Sequence, residues 1–332
     1  MAQGYGSVMT QDDTIAGKSV LVTGGAGFIG SHIVDRLIVE DPAKIVIVDN
    51  LFLGKISNLA PALRRRSDIE ILVRDASIFP VMKEILETHK IDIVLDLATI
   101  PLPTSYVLPR WTYENNIRMA LNWCELIRLK KLGLYVHASS SEALGTAQIV
   151  PMPEEHPMNP TTTYGSSKAS QDLLIQSYDR MYGINYLIFR PFNNFGERQN
   201  DEAYAGVIPS TIKRILAGEA PILHGDGEQT RDFTYVKDTA DAVVRLVNNP
   251  RCRKQVVHVA KGRQIKIIDL IKTICAEMAY SGEIIRYPAR PNDVRQHYAD
   301  TSRLRTYMDF RPIEIEDGIA RVIEWYRTRQ QK

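Results

Sequence analysis

The stretch "VLVTGGAGFIGSHIVDRL", Val20 to Leu37, narrows the possible folds more than any other part of the 332-residue chain. A β-branched apolar run, a glycine-rich turn and an amphipathic run follow one another, which reads as strand, loop and helix. Gly25, Gly27 and Gly30 give the spacing GxGxxG, and Gly24, Gly27 and Gly30 give GxxGxxG. Glycines at such a turn let backbone N–H groups approach a pyrophosphate at the positive end of a helix dipole. The run "KIVIVD" then ends in Asp49, 19 residues beyond Gly30. A carboxylate at the tip of a second strand accepts the ribose hydroxyls of an adenosine and repels a 2′-phosphate, so the unit predicts a dinucleotide site that takes NAD rather than NADP. The expected contacts are Gly24, Gly27, Phe28, Ile29 and Gly30 in the loop, Asp49 and Asn50 after the second strand, and Asp75 and Ala76 after the third. Asp75 either meets the adenine or simply closes a turn.

Further apolar runs recur at Ile71, Val94, Tyr135 and Leu187, as "IEILVRD", "IDIVLDLA", "LGLYVHAS" and "INYLIFRP", separated by helix-like stretches. Continuous rather than alternating apolar runs belong to strands covered on both faces. Strand alternating with helix predicts right-handed crossovers and an α/β fold, a doubly wound parallel sheet of the Rossmann kind. This domain is expected over residues 18–190, after a flexible leader at 1–17. Beyond Arg190 the alternation loosens, and 191–332 reads as a smaller C-terminal α/β substrate domain. Within it, about 235–260 is expected to pack back on the sheet.

Composition removes several function classes. With 44% hydrophobic residues the chain can bury a large core, and 41 basic against 39 acidic residues leave a net charge of +2. That balance gives no bulk attraction to nucleic acid or to an anionic membrane. No run of 18 apolar residues suggests a spanning helix. Cys124, Cys252 and Cys275 show neither metal-ligand nor CxxC spacing, so no metal or disulfide framework is expected, and a reducing, cytoplasmic setting fits.

The segment "TTTYGSSK" places Tyr164 and Lys168 four residues apart, on one face of a helix. Alone, the pair is most simply a solvated surface. Together with "TGGAGFIG", "SSSEALG" (Ser139 to Gly145), "RPFNNFGERQ" (Arg190 to Gln199), "GDGEQTRDFTYVKD" (Gly225 to Asp238) and "ARPNDVRQHYAD" (Ala289 to Asp300), it changes meaning. The chain resembles the extended short-chain dehydrogenase/reductase family, specifically its NAD-dependent nucleotide-sugar epimerases and dehydratases, over nearly everything from Lys18 to Trp325. The resemblance implies that Tyr164 is the base at the sugar 4-hydroxyl and that Ser140 hydrogen-bonds its oxygen. Lys168 and the positive nicotinamide are expected to lower the phenol pKa from its ordinary value of about 10. Asn193, Arg231 and Arg290 are implied as a clamp on the nucleotide diphosphate, and His297 as a pocket residue near the sugar. A homodimer through helices near 116–128 and 164–182 is also implied.

Family members share oxidation at C4 and differ afterwards. Glu142 stands where the dehydratases and uronic acid decarboxylases carry a glutamate, suited to abstract a C5 proton. Other segments, "GDGEQTRDF" among them, look more like the epimerases. The leading expectation is a C4-epimerase acting on a UDP-hexose through a 4-keto intermediate. A 4,6-dehydratase with Glu142 as C5 base follows, then a UDP-uronic acid decarboxylase. A reductase consuming NAD(P)H on a non-sugar carbonyl is disfavoured by Asp49 and by the implied diphosphate clamp. An NAD-binding protein without turnover is disfavoured by the joint presence of Ser140, Tyr164 and Lys168. Two departures from the family pattern stand out: Leu144 replaces a tyrosine and Asp96 a histidine. The loop from Thr99 to Trp111 is also unusually proline-rich.

Overall fold

Short runs of Val, Ile and Leu become seven parallel strands in the computed structural model, which describes residues 14–202, 205–289 and 294–330. They are β1 (Ser19–Thr23), β2 (Lys44–Asp49), β3 (Glu70–Val73), β4 (Ile93–Asp96), β5 (Leu134–Ala138), β6 (Tyr186–Pro191) and β7 (Gln255–Val259). Their order across the sheet is β7-β6-β5-β4-β1-β2-β3. The direction of winding reverses between β1 and β4, whose facing ends include the pair Thr23 and Asp96. In a doubly wound sheet the crevice at the carboxyl ends of such strands is where a ligand binds.

Alternation along each strand sends side chains to two cores. Val20 and Val22 of β1 join one cluster with Ile33, Val34 and Leu37 of α1 (Phe28–Leu37). Leu21, between them, joins the opposite cluster, with Met82 of α2 (Phe79–His89), Trp123 of α3 (Pro109–Arg128) and Ile175 of α4 (Thr163–Tyr182). Both faces are covered, which is why the strands read as unbroken apolar runs. Helix α5 (Val236–Val247) closes the first face through Val243 and Leu246, and β7 pairs with β6.

The chain between and beyond these elements builds a third core from Phe195, Ile208, Ile212, Phe233, Ile274 and Ile319. At the amino end, residues 14–17 belong to the packed structure rather than to a leader. Ile15 is fully buried in the first core, and its N–H donates to Asn248 Oδ1 at 2.8 Å. A branched apolar side chain beside the sheet gains more from burial than from remaining in water. Residues 1–13 lie outside the described residues. No described helix is long and apolar enough to cross a membrane.

Candidate active site

The glycine turn between β1 and α1 is a cradle that side chains would fill. Gly24 has φ +64°, and a Cβ there would lie 2.8 Å from the Ala98 nitrogen; at Gly30 it would lie 2.2 Å from the Gly24 carbonyl oxygen. Gly27 caps α1, and its N–H donates to that same oxygen at 3.0 Å. Gly24 and the first turn of α1, Gly27 to Gly30, face a cavity of about 710 Å³. Phe28 and Ile29 are part of that turn. Asp49, Asn50, Asp75 and Ala76 line the cavity from the ends of β2 and β3.

Asp49 is anchored rather than loose. Its Oδ2 accepts from the Ala26 N–H at 3.0 Å and its Oδ1 from the Leu51 N–H at 2.8 Å. Burial pushes its carboxyl pKa up, and these two donors pull it back. Asp75 Oδ1 accepts from the Ser77 N–H at 2.8 Å, so it closes its own turn while also facing the cavity. A wall of bare backbone at a helix N-terminus with a carboxylate at its rim fits NAD.

Helix α4 positions the chemistry. Thr162 caps it, accepting from the Gly165 N–H at 3.0 Å, and so sets Tyr164 and Lys168 in its first turns. Both line the cavity beside Ser140, which follows β5. Lys168 is buried, and its Nζ donates to the Ala138 carbonyl at 2.8 Å. Burial lowers its pKa to about 8, against the raising influence of Asp96 and Asp172. Within the protein alone, desolvation, with Glu142 adding to it, pushes the Tyr164 phenol up to about 12. The hydroxyls of Ser140 and Thr99 act in the opposite direction. The protein around the phenol strips it of water, and the lysine is directed at a carbonyl instead.

Asn193 and Arg231 both reach the cavity. Asn193 Nδ2 is buried with no protein partner, a donor waiting for an acceptor. Arg231 is held by the carbonyls of Thr230 at 2.9 Å and Val294 at 2.5 Å. Arg290 lies outside the described residues. Two expected residues are not part of the cavity wall. Glu142 is half-buried, with its N–H on Ser140 Oγ at 3.2 Å. His297 is buried against the Phe192 ring, centroids 5.1 Å apart, with Nε2 3.3 Å from the Ser141 carbonyl. Desolvation lowers its pKa to about 4, so it is a neutral strut behind the wall.

The two departures are absorbed locally. Leu144 sits in an apolar cluster with Met152, Phe192 and Ala299. Asp96 accepts from Thr23 Oγ1 at 2.7 Å and Tyr135 OH at 2.9 Å, and lies 3.3 Å from His137 Nδ1. Burial raises its pKa, but His137, Thr23 and Lys168 outweigh it and hold the carboxyl below its ordinary value. Among the described residues no cluster of His, Cys, Asp or Glu could hold a metal ion.

Two residues were not singled out in the sequence. Thr99 lines the cavity just beyond β4, and Asn116 of α3 fastens its neighbour Ile100 through both backbone groups, at 2.8 and 3.1 Å. The available signals were a hydroxyl at the carboxyl end of a strand beside the winding reversal, and a polar residue within the buried face of a helix.

The model of the NAD dependent epimerase/dehydratase family matches residues 20–260. The chain belongs to this family. NAD is its cofactor. The UDP-N-acetylglucosamine 4-epimerase of Methanobrevibacter ruminantium M1, solved in complex with UDP-N-acetylmuramic acid, is similar at 34% identity and a TM-score of 0.86, over 95% of this chain and 99% of that one. The UDP-glucose 4-epimerase of Thermotoga maritima, solved with UDP-glucose, is 29% identical with a TM-score of 0.88, over 94% and 99%. A UDP-glucose 4-epimerase of Mycolicibacterium smegmatis is 30% identical, over 94% of this chain and 99% of its own.

Proposed function

We propose that the protein is a C4-epimerase of UDP-hexoses working through a 4-keto sugar. The observation that carries the reading is the composition of the wall around the phenol. Tyr164 stands there with Ser140, Thr99 and Lys168, while Glu142, the candidate C5 base, is not part of the wall. Such a site can move a proton at O4.

When bound, NAD would supply a reversible hydride acceptor for C4. Gly24, the first turn of α1 and Asp49 would hold it. Tyr164 as phenolate receives the O4 proton as the ketone forms, and gives it back to O4 when the sugar is reduced on its other face. Ser140 donates a hydrogen bond to the phenolate, and Lys168 supplies positive charge behind it. Asn193 Nδ2 and the Arg231 guanidinium bind the diphosphate, since both are donors facing the cavity. Arg290 is assigned the same role by its motif alone.

The test is incubation with UDP-glucose, UDP-galactose and their N-acetylhexosamine counterparts, followed by product mass and proton NMR. An inverted C4 at unchanged mass is expected; loss of water or of carbon dioxide overturns the reading. One observation favours 4,6-dehydration as a second reading: the Glu142 carboxylate is near enough to the phenol to raise its pKa.

The working unit in this proposal is a cytoplasmic homodimer. Leu121 on α3 and Leu173 and Met181 on α4 are 39%, 54% and 67% exposed, an apolar face that a second copy would cover. Cys124, Cys252 and Cys275 are buried free thiols, which suits a reducing compartment.

A further inference from the structure

We propose that Thr99 is a catalytic residue whose hydroxyl donates a second hydrogen bond to the phenolic oxygen of Tyr164, alongside Ser140. The inference rests on Tyr164 being the base of the reaction proposed above.

Three features of the structure carry it. Thr99 lines the same cavity as Tyr164, Ser140 and Lys168, and it reaches that position from the carboxyl end of β4, on a different element from the other three. Its backbone is fixed: the Ile100 N–H donates to Asn116 Oδ1 at 2.8 Å, and Asn116 Nδ2 donates to the Ile100 carbonyl at 3.1 Å. The same Nδ2 donates to Ser167 Oγ at 3.0 Å, and the Ser167 hydroxyl donates to the Tyr164 carbonyl at 2.7 Å. One buried amide therefore ties the Thr99 loop to the turn of α4 that carries the phenol.

The Thr99 hydroxyl is also uncommitted elsewhere. Its other acceptors are Asn116 Oδ1 at 3.4 Å and the Ile100 carbonyl at 3.5 Å. Both are long against the usual 2.7–2.8 Å of an O–H···O bond. A phenolate, charged and desolvated, is the stronger acceptor and draws that hydrogen bond to itself.

The chemical need is visible in the surroundings of the phenol. Glu142, in the turn after β5, opposes its ionisation. Lys168, from the same helix, is 6.0 Å from the ring centroid, bonded to Ala138, with the charges of Asp96 and Asp172 acting on it. Two hydroxyl donors, from β4 and β5, are thus the direct contacts that favour the phenolate. Thr99 keeps its own proton in this role; the proton that moves is the one from the sugar O4.

The test reads the phenol itself. The pKa of Tyr164 is measured on NAD-loaded protein without sugar, from the ultraviolet absorbance of phenolate, subtracting the same titration of the matching Tyr164→Phe protein. Thr99→Val, which keeps the shape and removes the hydroxyl, is expected to raise that pKa by about one unit, a tenfold loss of phenolate at a given pH. Thr99→Ser is expected to restore the wild-type value. A Thr99→Val titration coincident with wild type overturns the proposal, as does Thr99→Ser shifted as far as Thr99→Val. Should Thr99→Val not fold, Thr99→Ala serves the same comparison. Because no sugar is used, a wrong assignment of the overall reaction shows up separately, as failure of the UDP-hexose assay.

Discussion

Lys168 and Tyr164 lie one helical turn apart, yet the ammonium donates to the Ala138 carbonyl at 2.8 Å and stands 6.0 Å from the centre of the tyrosine ring. The lysine therefore acts on the phenol through space and through what it holds in place, not by a direct bond. The two residues should separate on mutation. Tyr164→Phe is expected to lose at least about 10²-fold in turnover while keeping NAD, the range of general-base catalysis. Lys168→Met is expected to release NAD as well. Turnover and the NAD content of purified protein, measured on both variants, check this.

Asp49 is braced by the N–H groups of Ala26 and Leu51, with its carboxylate at the rim of the cavity. Asp49→Ala should weaken NAD binding and abolish the preference over NADP. Calorimetric titration of cofactor-stripped wild type and variant provides the comparison. Equal affinity of the wild type for both nucleotides would remove Asp49 as the selecting group.

Glu142 separates the two leading reactions. In an epimerase, Glu142→Gln loses only part of its rate, and the native enzyme leaves C5 unlabelled in D₂O. In a dehydratase the same variant reduces NAD on mixing with substrate but stalls before water is lost. Deuterium at C5 of the product, read by mass spectrometry, would transfer the assignment from epimerisation to dehydration.

Three buried histidines predict how stability depends on pH. Burial lowers the pKa of His32 and His297 to about 4 and that of His258 well below its ordinary value of 6.5. These groups are neutral in the fold and charge on unfolding, so their contribution is present above about pH 6.5 and is lost as pH falls toward 4. Each is worth about 1.4 kcal/mol per pH unit while the difference of a full proton persists. Asp232, raised to about 7 by burial, works in the opposite sense, as do Asp49, Glu154 and Asp238, which burial also raises. Removing one histidine isolates its share: in urea unfolding at pH 7 and pH 5, His297→Gln should fare better relative to wild type at pH 5 than at pH 7, by roughly one proton's worth.

The sheet, the glycine cradle and the Tyr164–Lys168 pair were legible in the sequence because each depends on local pattern. Apolar runs bounded by turns specify strands covered on both faces, a GxGxxG between strand and helix specifies a backbone cradle, and a four-residue spacing on a helix specifies a shared face. Direction and surroundings were decided only in three dimensions. His297 belongs to the right motif, but packing against Phe192 and the Ser141 carbonyl sets it behind the cavity wall. Asp96 reads as a departure until Thr23, Tyr135 and His137, up to 73 residues away, converge on it. Thr99 reads as one loop residue among many until Asn116 fixes its loop beside the phenol. A desolvation energy or a hydrogen bond between distant segments has no periodicity to read, because it exists only once the chain has brought those groups together.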